Sequence, residues 1–301
     1  MDLITPLGSA WRRMTGALFR PWRPALWFTV GLGAWLANLT NCGVPAPGFN
    51  PNLGSGDGGD GFEELSRTVS ENLPFILAVA IPLFLVLVAL AVALLWLSSR
   101  GQFLFVDNVA RGRAAVVAPW GEHGALANSL FWWRLGFGLV CLLAFGLTLT
   151  PLCVALFRGG GEPQPWVLLA VVPLMLALVV AVVLIQLYLQ DFVVPIMFRQ
   201  RLKALAAWGR FLQLFRRHPG TFLLYALWIL LLAFGIGCAI FVLGCLTCCV
   251  GWLLLALPYL GTVLLLPVLY TYRAYSLELL ARLAPEYDCF EGGTGLAPTS
   301  S

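Results

Sequence analysis

The sequence predicts an all-α fold, a polytopic membrane helix bundle with six transmembrane helices in three hairpins, each preceded by a cytoplasmic interfacial amphipathic helix. Three observations predict it. The chain of 301 residues is 60% hydrophobic and 11% charged, whereas soluble domains carry about 25% charged residues. Its apolar residues form long stretches, and its basic residues cluster between alternate stretches. A chain of this composition needs lipid around its apolar surface.

A membrane-spanning helix needs about 20 apolar residues, and six stretches approach or exceed that length. Residues 219–272 contain no Asp, Glu, Lys or Arg. Because this region is about twice the length of one span, we divide it at the turn "GCLTCCVG" (244–251). The predicted spans are 25–40, 73–97, 131–157, 166–190, 220–243 and 251–272, and the candidate interruptions within them are Pro82, Pro173, Pro258 and Pro267.

The basic residues predict the orientation of the bundle. Of the eighteen lysines and arginines, sixteen fall in or beside segments that share one side of a six-span topology, and Arg67 and Arg158 fall on the other. Cytoplasmic loops carry the excess of Lys and Arg. We therefore expect a multi-pass protein of the cell (inner) membrane, with both termini cytoplasmic and the loop 41–72 external.

The segment between the fourth and fifth spans predicts an amphipathic helix. Its apolar residues recur at steps of three or four, which is the period of one helix face. A helix of this kind lies in the membrane interface, with its basic face near anionic headgroups. The apolar stripe is Phe198, Leu202, Leu205, Trp208, Leu212 and Phe215, and the basic residues opposite are Arg199, Lys203, Arg210 and Arg217.

An internal repeat links this segment to an earlier one. A shift of 88 residues places Arg111, Arg113, Trp120 and Gly121 on Arg199, Arg201, Trp208 and Gly209, so Arg111 and Arg113 join the predicted lipid or partner surface. A looser third copy occupies residues 9–24. The repeat predicts one transmembrane domain, 1–284, made of the units 1–97, 98–194 and 195–284, with a disordered cytoplasmic tail at 285–301.

Four ionisable residues near the predicted cytoplasmic interface are candidates for ion pairs. Asp107 precedes Arg111 by four residues, which is the favourable order for a pair on one helix. Arg134 begins the third span, and Asp191 ends the fourth. We expect these residues to join interfacial helices to span ends through hydrogen-bonded pairs.

The cysteines leave three interpretations open. Cys245, Cys248 and Cys249 lie in a predicted external turn, and Cys42 lies on the same side. They are unpaired apolar side chains, or a disulfide joins Cys42 to the cluster, or they serve metal or redox chemistry. Zinc is disfavoured because both histidines are predicted on the cytoplasmic side. We expect no metal and no cofactor.

Two segments carry a family resemblance: "SRGQFLFVDNVARGRAAVVAPWGEHGALANSLFWWRLGFG" (99–138) and "QDFVVPIMFRQRLKALAAWGRFLQL" (190–214). There the chain resembles a family of uncharacterised bacterial integral membrane proteins. More distantly, it is similar to the membrane domain associated with glycerophosphodiester phosphodiesterases. The resemblance implies a helical bundle and no established activity. The hydrolase itself needs a soluble domain with acidic and histidine ligands, so no catalytic residue carries over.

These observations favour a non-enzymatic membrane protein whose basic cytoplasmic collar binds anionic lipid or a partner protein. The alternative is a transporter or channel for a small or lipidic substrate. The sequence contains no motif for a hydrolase or a phosphate-binding loop. Membrane lipids are the expected partners, a protein partner or homo-oligomer stays open, and a net charge of +4 indicates loop charge without a nucleic-acid patch.

Overall fold

The computed structural model describes residues 4–20, 24–40, 73–158, 165–247 and 250–290, and these residues are almost entirely helical, with no strand among them. The loop 41–72, which we predicted to be external, lies outside the described residues. The helices are α1 (Ile4–Phe19), α2 (Pro24–Asn38), α3 (Leu73–Arg111), α4 (Val117–Glu122), α5 (Gly124–Arg158), α6 (Pro165–Tyr188), a π-helical turn (Leu189–Val193), α7 (Val194–Gln200), α8 (Ala204–Arg217), α9 (Pro219–Leu246), α10 (Val250–Ala256), α11 (Pro258–Leu264), α12 (Leu266–Leu283) and a 3-10 turn (Pro285–Tyr287).

Four helical stretches are long and apolar enough to cross a membrane: Leu77–Arg111, Gly124–Val154, Trp166–Gln200 and Pro219–Leu246. They overlap the predicted spans two to five, but the helices of spans two and four continue past the predicted ends at 97 and 190, to Arg111 and Gln200. The predicted first span, 25–40, is the helix α2 of 15 residues. At 1.5 Å per residue it is about 22 Å long, whereas the hydrocarbon core is about 30 Å thick. The prediction that 25–40 spans the membrane is therefore not supported.

The predicted sixth span, 251–272, is broken into α10, α11 and the beginning of α12. Leu257 has an extended backbone (φ −71°, ψ 113°) immediately before Pro258, as expected for a residue that precedes proline. Pro267 lies in the first turn of α12, where a backbone N–H has no partner within the helix, so proline is tolerated there. By contrast, Pro82 and Pro173 lie inside continuous helices.

Each long helix is buried mainly at one end. In α3 the side chains of 103–106 are buried, whereas Leu83–Leu87 are more than half exposed. Since consecutive long helices run in alternate directions, their buried ends meet. Tyr188 at the end of α6 donates to the Phe222 carbonyl of α9 (3.1 Å), and the Ala204 N–H of α8 donates to Ser129 Oγ of α5 (3.1 Å). We call this region the packed end.

The helix α2 belongs to the packed end, where it lies antiparallel to the second half of α3. A Cβ added to Gly101 would lie 2.5 Å from the Ala37 backbone nitrogen, and one added to Gly33 would lie 3.4 Å from Leu104 Cγ. The two glycines thus permit a close approach of two backbones. This packing buries Val30, Ala34 and Ala37 against protein.

Aromatic rings form the centre of the packed end, around the π-helical turn. Phe192 lies 4.9 Å from Tyr225, 5.0 Å from Phe222 and 5.8 Å from Phe211, measured between ring centroids. Aromatic pairs at these separations add to the free energy gained from burial. The core therefore joins α6, α8 and α9 at the point where the chain turns between them.

The beginning of the predicted disordered tail is packed instead. Tyr287, Cys289 and Phe290 are buried, and the Arg13 guanidinium lies 3.8 Å from the Phe290 ring centroid. The composition of 285–301 resembles that of a disordered tail, but two aromatic side chains supply enough apolar area to dock its first turn. Residues 291–301 lie outside the described part of the chain.

Candidate functional site

The packed end holds two groups of polar side chains. The first, which we call the salt-bridge cluster, consists of Asp107, Arg111, Arg113, Glu122, His123 and Arg201. Asp107 is fully buried at the end of α3; its Oδ1 lies 3.3 Å from Arg111 Nε, and its Oδ2 accepts from Arg113 Nε at 3.0 Å. His123 Nε2 lies 3.5 Å from Asp107 Oδ1. The carboxylate thus joins the end of α3 to the beginning of α5.

Glu122 extends the cluster to the turn after α7. It accepts a short hydrogen bond from Arg201, and its Oε1 lies 3.6 Å from Arg111 Nη2. The Arg201 hydrogen bond lowers the pKa of Glu122. Arg201 has a left-handed backbone (φ 56°), as does Gly112 after α3 (φ 60°). Gly112 ends α3 and leads to α4, and Arg201 ends the continuous helical stretch Trp166–Gln200 and leads to α8.

The charges of the salt-bridge cluster disfavour a cation. Ligand atoms of Asp107, Glu122 and His123 lie within 4.8 Å of one another, a spacing that a metal ion could bridge. However, arginine nitrogens already contact both carboxylates, and three arginines against two carboxylates leave the cluster positive. We therefore assign it no metal. Arg111 and Arg113, which the repeat placed on the lipid surface, serve here as partners of Asp107.

Arg134 lies elsewhere and binds hydroxyl groups. Its Nη1 donates to Ser98 Oγ at 3.1 Å, and its Nη2 donates to Thr40 Oγ1 at 2.9 Å. Among the described residues, these hydroxyls and not a carboxylate hold the guanidinium, so the expected ion pair of Arg134 is absent there. The contact ties the start of α5 to α3 and to the end of α2.

The second group surrounds Asp191, in the π-helical turn. Tyr225 OH donates to Asp191 Oδ2 at 2.9 Å, and Arg273 Nη1 lies 4.0 Å from Oδ1. Arg273 also donates to the Gln190 carbonyl (2.5 Å) and to Gln102 Oε1 (2.7 Å). A π-helical turn widens the helix and changes the pattern of its backbone hydrogen bonds, and the Gln190 carbonyl within this turn accepts from the arginine.

A cavity of about 190 Å³ adjoins this group, which we call the polar cavity. Its polar lining comes from α2, α3, the π-helical turn and α12, and its apolar lining includes Ile229 and Ala233 of α9. Sequence analysis identified Asp191 but missed its partners. Arg273 was used only as one of the sixteen basic residues that predict the orientation, and Tyr225 lies within a uniformly apolar stretch. The polar lining residues are Asn38, Gln102, Gln190, Asp191, Tyr272 and Arg273.

The basic surface of α8 differs in part from the prediction. Arg199, Lys203, Arg210 and Arg217 are exposed, as expected. However, Phe198 and Arg199 lie in α7, which continues the fourth span, so the predicted amphipathic helix begins at Ala204 and not at Phe198. The buried side of α8 is formed by Ala204, Ala207, Phe211 and Leu214, whereas Leu205 and Leu212 are 77% and 47% exposed. The helix is separated from α7 and α9 by non-helical residues at both ends. Its position in the membrane interface stays a prediction.

The thiols stay without a functional assignment. Cys245 is exposed near the end of α9, whereas Cys42, Cys248 and Cys249 lie outside the described residues. The proposed disulfide therefore stays a prediction. Cys289, which the sequence interpretation did not use, is buried, and this burial raises the pKa of its thiol to about 12.

Comparison with known proteins places the chain in a family. No curated protein and no solved structure matches it. Nothing in these comparisons bears on the distant likeness to the membrane domain associated with glycerophosphodiester phosphodiesterases, which stays a prediction. The match is to a family of unknown function, DUF7544, over residues 1–283. The chain therefore belongs to this family.

Proposed function

We propose that this chain is a non-enzymatic integral membrane protein whose packed end binds anionic lipid through a basic collar. The collar is the exposed set Arg199, Lys203, Arg210 and Arg217. The single observation that carries the proposal is the arrangement of α8, which buries one side in the bundle and exposes Arg210 and Arg217 on one flank and Leu205 and Leu212 on the other, with Arg216 one turn beyond Leu212.

The two flanks of α8 are suited to different layers of a bilayer. Lys203, Arg210 and Arg217 recur every seven residues and form one stripe, while Leu205 and Leu212 lie about half a helical turn away. Leu205 and Lys203 both border a groove that also contains Trp132 and Gly136 of the apolar helix α5. Leu205 thus continues the apolar surface of α5, and the exposed Arg210 and Arg217 on the other flank are placed for headgroups.

Lipid-dependent stability tests the proposal. The full chain in detergent is titrated with phosphatidylglycerol or phosphatidylcholine, and its thermal unfolding is followed. We expect preferential stabilisation by phosphatidylglycerol. Replacement of the four collar residues by Gln should weaken that binding by about 1 kcal/mol per charge, less at high salt. The matched control is Arg158→Gln at the opposite end of α5. Equal affinity of both variants for phosphatidylglycerol would refute the collar.

A transporter for a small or lipidic substrate is the second candidate, and one observation favours it. The segment α10–α12 is interrupted at Pro258 and Pro267, and α12 lines the polar cavity. Transporters build their substrate sites from interrupted helices of this kind. Uptake of labelled solutes into proteoliposomes tests this candidate. Saturable uptake that Asp191→Asn abolishes would favour transport over the lipid-binding proposal.

A further inference from the structure

The polar cavity brings a carboxylate and a guanidinium to one small space without a close contact between them. The nearest atoms, Asp191 Oδ1 and Arg273 Nη1, are 4.0 Å apart, which is beyond hydrogen-bond distance. Tyr225 satisfies Oδ2 of the carboxylate. Oδ1 is thus the oxygen that is available to a donor entering the cavity.

Arg273 is held in position yet keeps unused donors. Its two described hydrogen bonds go to the Gln190 carbonyl and to Gln102, and a guanidinium has five N–H groups. Gln102 is itself fixed, because its Nε2 donates to the Ala37 carbonyl at 2.9 Å. The cationic side of the cavity is therefore preorganised, which lowers the entropy lost when a ligand binds.

The remaining lining sets the size and polarity of a ligand. About 190 Å³ corresponds to roughly six water molecules at the density of the liquid. Asn38, Gln102 and Gln190 supply neutral amide groups, and Ile229 and Ala233 supply an apolar wall. Tyr272, whose hydroxyl is buried without a hydrogen-bond partner among the described residues, also borders the cavity. Such a site suits a compact molecule with charged and apolar parts.

We propose that the polar cavity binds a small zwitterion of free amino-acid size, with its ammonium group at Asp191 and its carboxylate at Arg273. Opposite charges on one ligand match the two charges of the wall, and both contacts are charge-assisted hydrogen bonds. A ligand with a single charge would leave either the carboxylate or the guanidinium without a new partner. This inference does not rest on lipid binding by the collar.

Calorimetric titration of the full chain in detergent tests the proposal, with glycine, alanine, valine and leucine as probes. Propylamine and propionate carry only one of the two charges. We expect saturable binding of at least one amino acid, and binding at least about tenfold weaker for both single-charge analogues. Propylamine or propionate binding as tightly as the amino acid would overturn the zwitterion assignment, and no binding by any of the four amino acids would overturn the site.

Two variants test whether the amino acid binds in the polar cavity. Ala233→Leu adds bulk to the apolar wall and leaves every polar lining residue unchanged, so it should abolish binding while the protein stays folded. The matched control is Ala239→Leu, because Ala239 is exposed on the same helix, as Ala233 is, but does not line the cavity. Asp191→Asn should weaken amino-acid binding at least about tenfold. Unchanged binding in Ala233→Leu would place the ligand elsewhere.

Discussion

Asp107 shows what one buried carboxylate does at the packed end. It is fully buried and contacts Arg111, Arg113 and His123. Hydrogen bonds to charged groups contribute about 1.5–3 kcal/mol each. We expect Asp107→Asn to lower the free energy of unfolding by about 2–3 kcal/mol, measured by denaturant titration in detergent. Arg12→Gln, at an exposed position of α1, is the control and should change it by less than about 0.5 kcal/mol. Equal effects of the two changes would refute the role of Asp107.

Glu122 gives a prediction about pH. The Arg201 hydrogen bond lowers its pKa below the ordinary value of 4.5. A carboxyl with a lowered pKa stabilises the folded state above its unfolded pKa, and this contribution is lost as the pH falls through the lowered value. Wild type should therefore unfold at a higher temperature than Glu122→Gln at pH 7.

The difference between wild type and Glu122→Gln should shrink as the pH is taken below 4.5, because the wild-type carboxyl then becomes neutral. Arg201→Gln should resemble Glu122→Gln at pH 7, and the double variant should add little to either, since both changes remove one interaction. Fully additive effects would show that the two side chains do not act on each other.

At the residue scale, the spacing of residues within one helix predicted a contact, whereas contacts between residues that are distant in sequence could not be predicted. The pair Asp107 and Arg111 follows from their four-residue spacing on one helix. Arg273 meets Gln102 across 171 residues of sequence, and no periodicity within either segment indicates such a contact. The polar cavity could therefore be predicted only at Asp191, the one carboxylate between the predicted fourth and fifth spans.

The contact between α2 and α3 is the first prediction at the scale of elements. Gly101→Ala would bring a methyl group against the Ala37 backbone, so we expect the free energy of unfolding to fall by about 1–3 kcal/mol. Gly136→Ala is the matched control, because a Cβ there meets nothing within 4 Å and alanine favours the helix. Thermal unfolding in detergent compares them. Equal stability of the two variants would contradict this packing.

The side of α8 that packs gives a second prediction. Phe211 is 1% exposed and Leu205 is 77% exposed. Phe211→Ala should therefore cost about 3–5 kcal/mol of folding stability, whereas Leu205→Ala should change it by less than about 0.5 kcal/mol. Denaturant titration in detergent measures both free energies of unfolding. A larger loss for Leu205→Ala than for Phe211→Ala would show that the stripe predicted from the sequence is the one that packs.

Two elements show why periodicity did not suffice. Two neighbouring stripes of α8 share the same helical spacing. The predicted stripe is Leu205, Trp208, Leu212 and Phe215, and the second stripe is Ala204, Ala207, Phe211 and Leu214. The second stripe is buried, and Trp208 and Phe215 of the predicted stripe are partly buried against the same core, whereas Leu205 and Leu212 are exposed. In α2, apolar composition matched a membrane span, but Gly33 and Gly101 favour contact with α3. The amino-acid composition of a helix shows that its surface is apolar, but it does not show whether lipid or protein covers that surface.

At the scale of the whole molecule, the uneven distribution of charge agrees with the uneven packing. Most of the described arginines and Lys203 lie at the packed end, and the opposite parts of the long helices expose apolar side chains. The four candidate spans were predictable from hydropathy because every one is a continuous apolar stretch. The breaks in the segment α10–α12 could not be predicted, because Pro173, which lies inside a helix, and Pro258, which lies at a break, occur in similar sequence contexts.

The central proposal is that the packed end, with its basic collar, faces the cytoplasmic side of the membrane, as the excess of Lys and Arg at this end predicts. Cysteine labelling tests it most directly. All eight cysteines are replaced, a single cysteine is introduced as Arg210→Cys or Arg158→Cys, and cells are treated with a membrane-impermeant maleimide. Arg158→Cys should be labelled in intact cells, and Arg210→Cys only after permeabilisation. Labelling of Arg210→Cys in intact cells would contradict the claim.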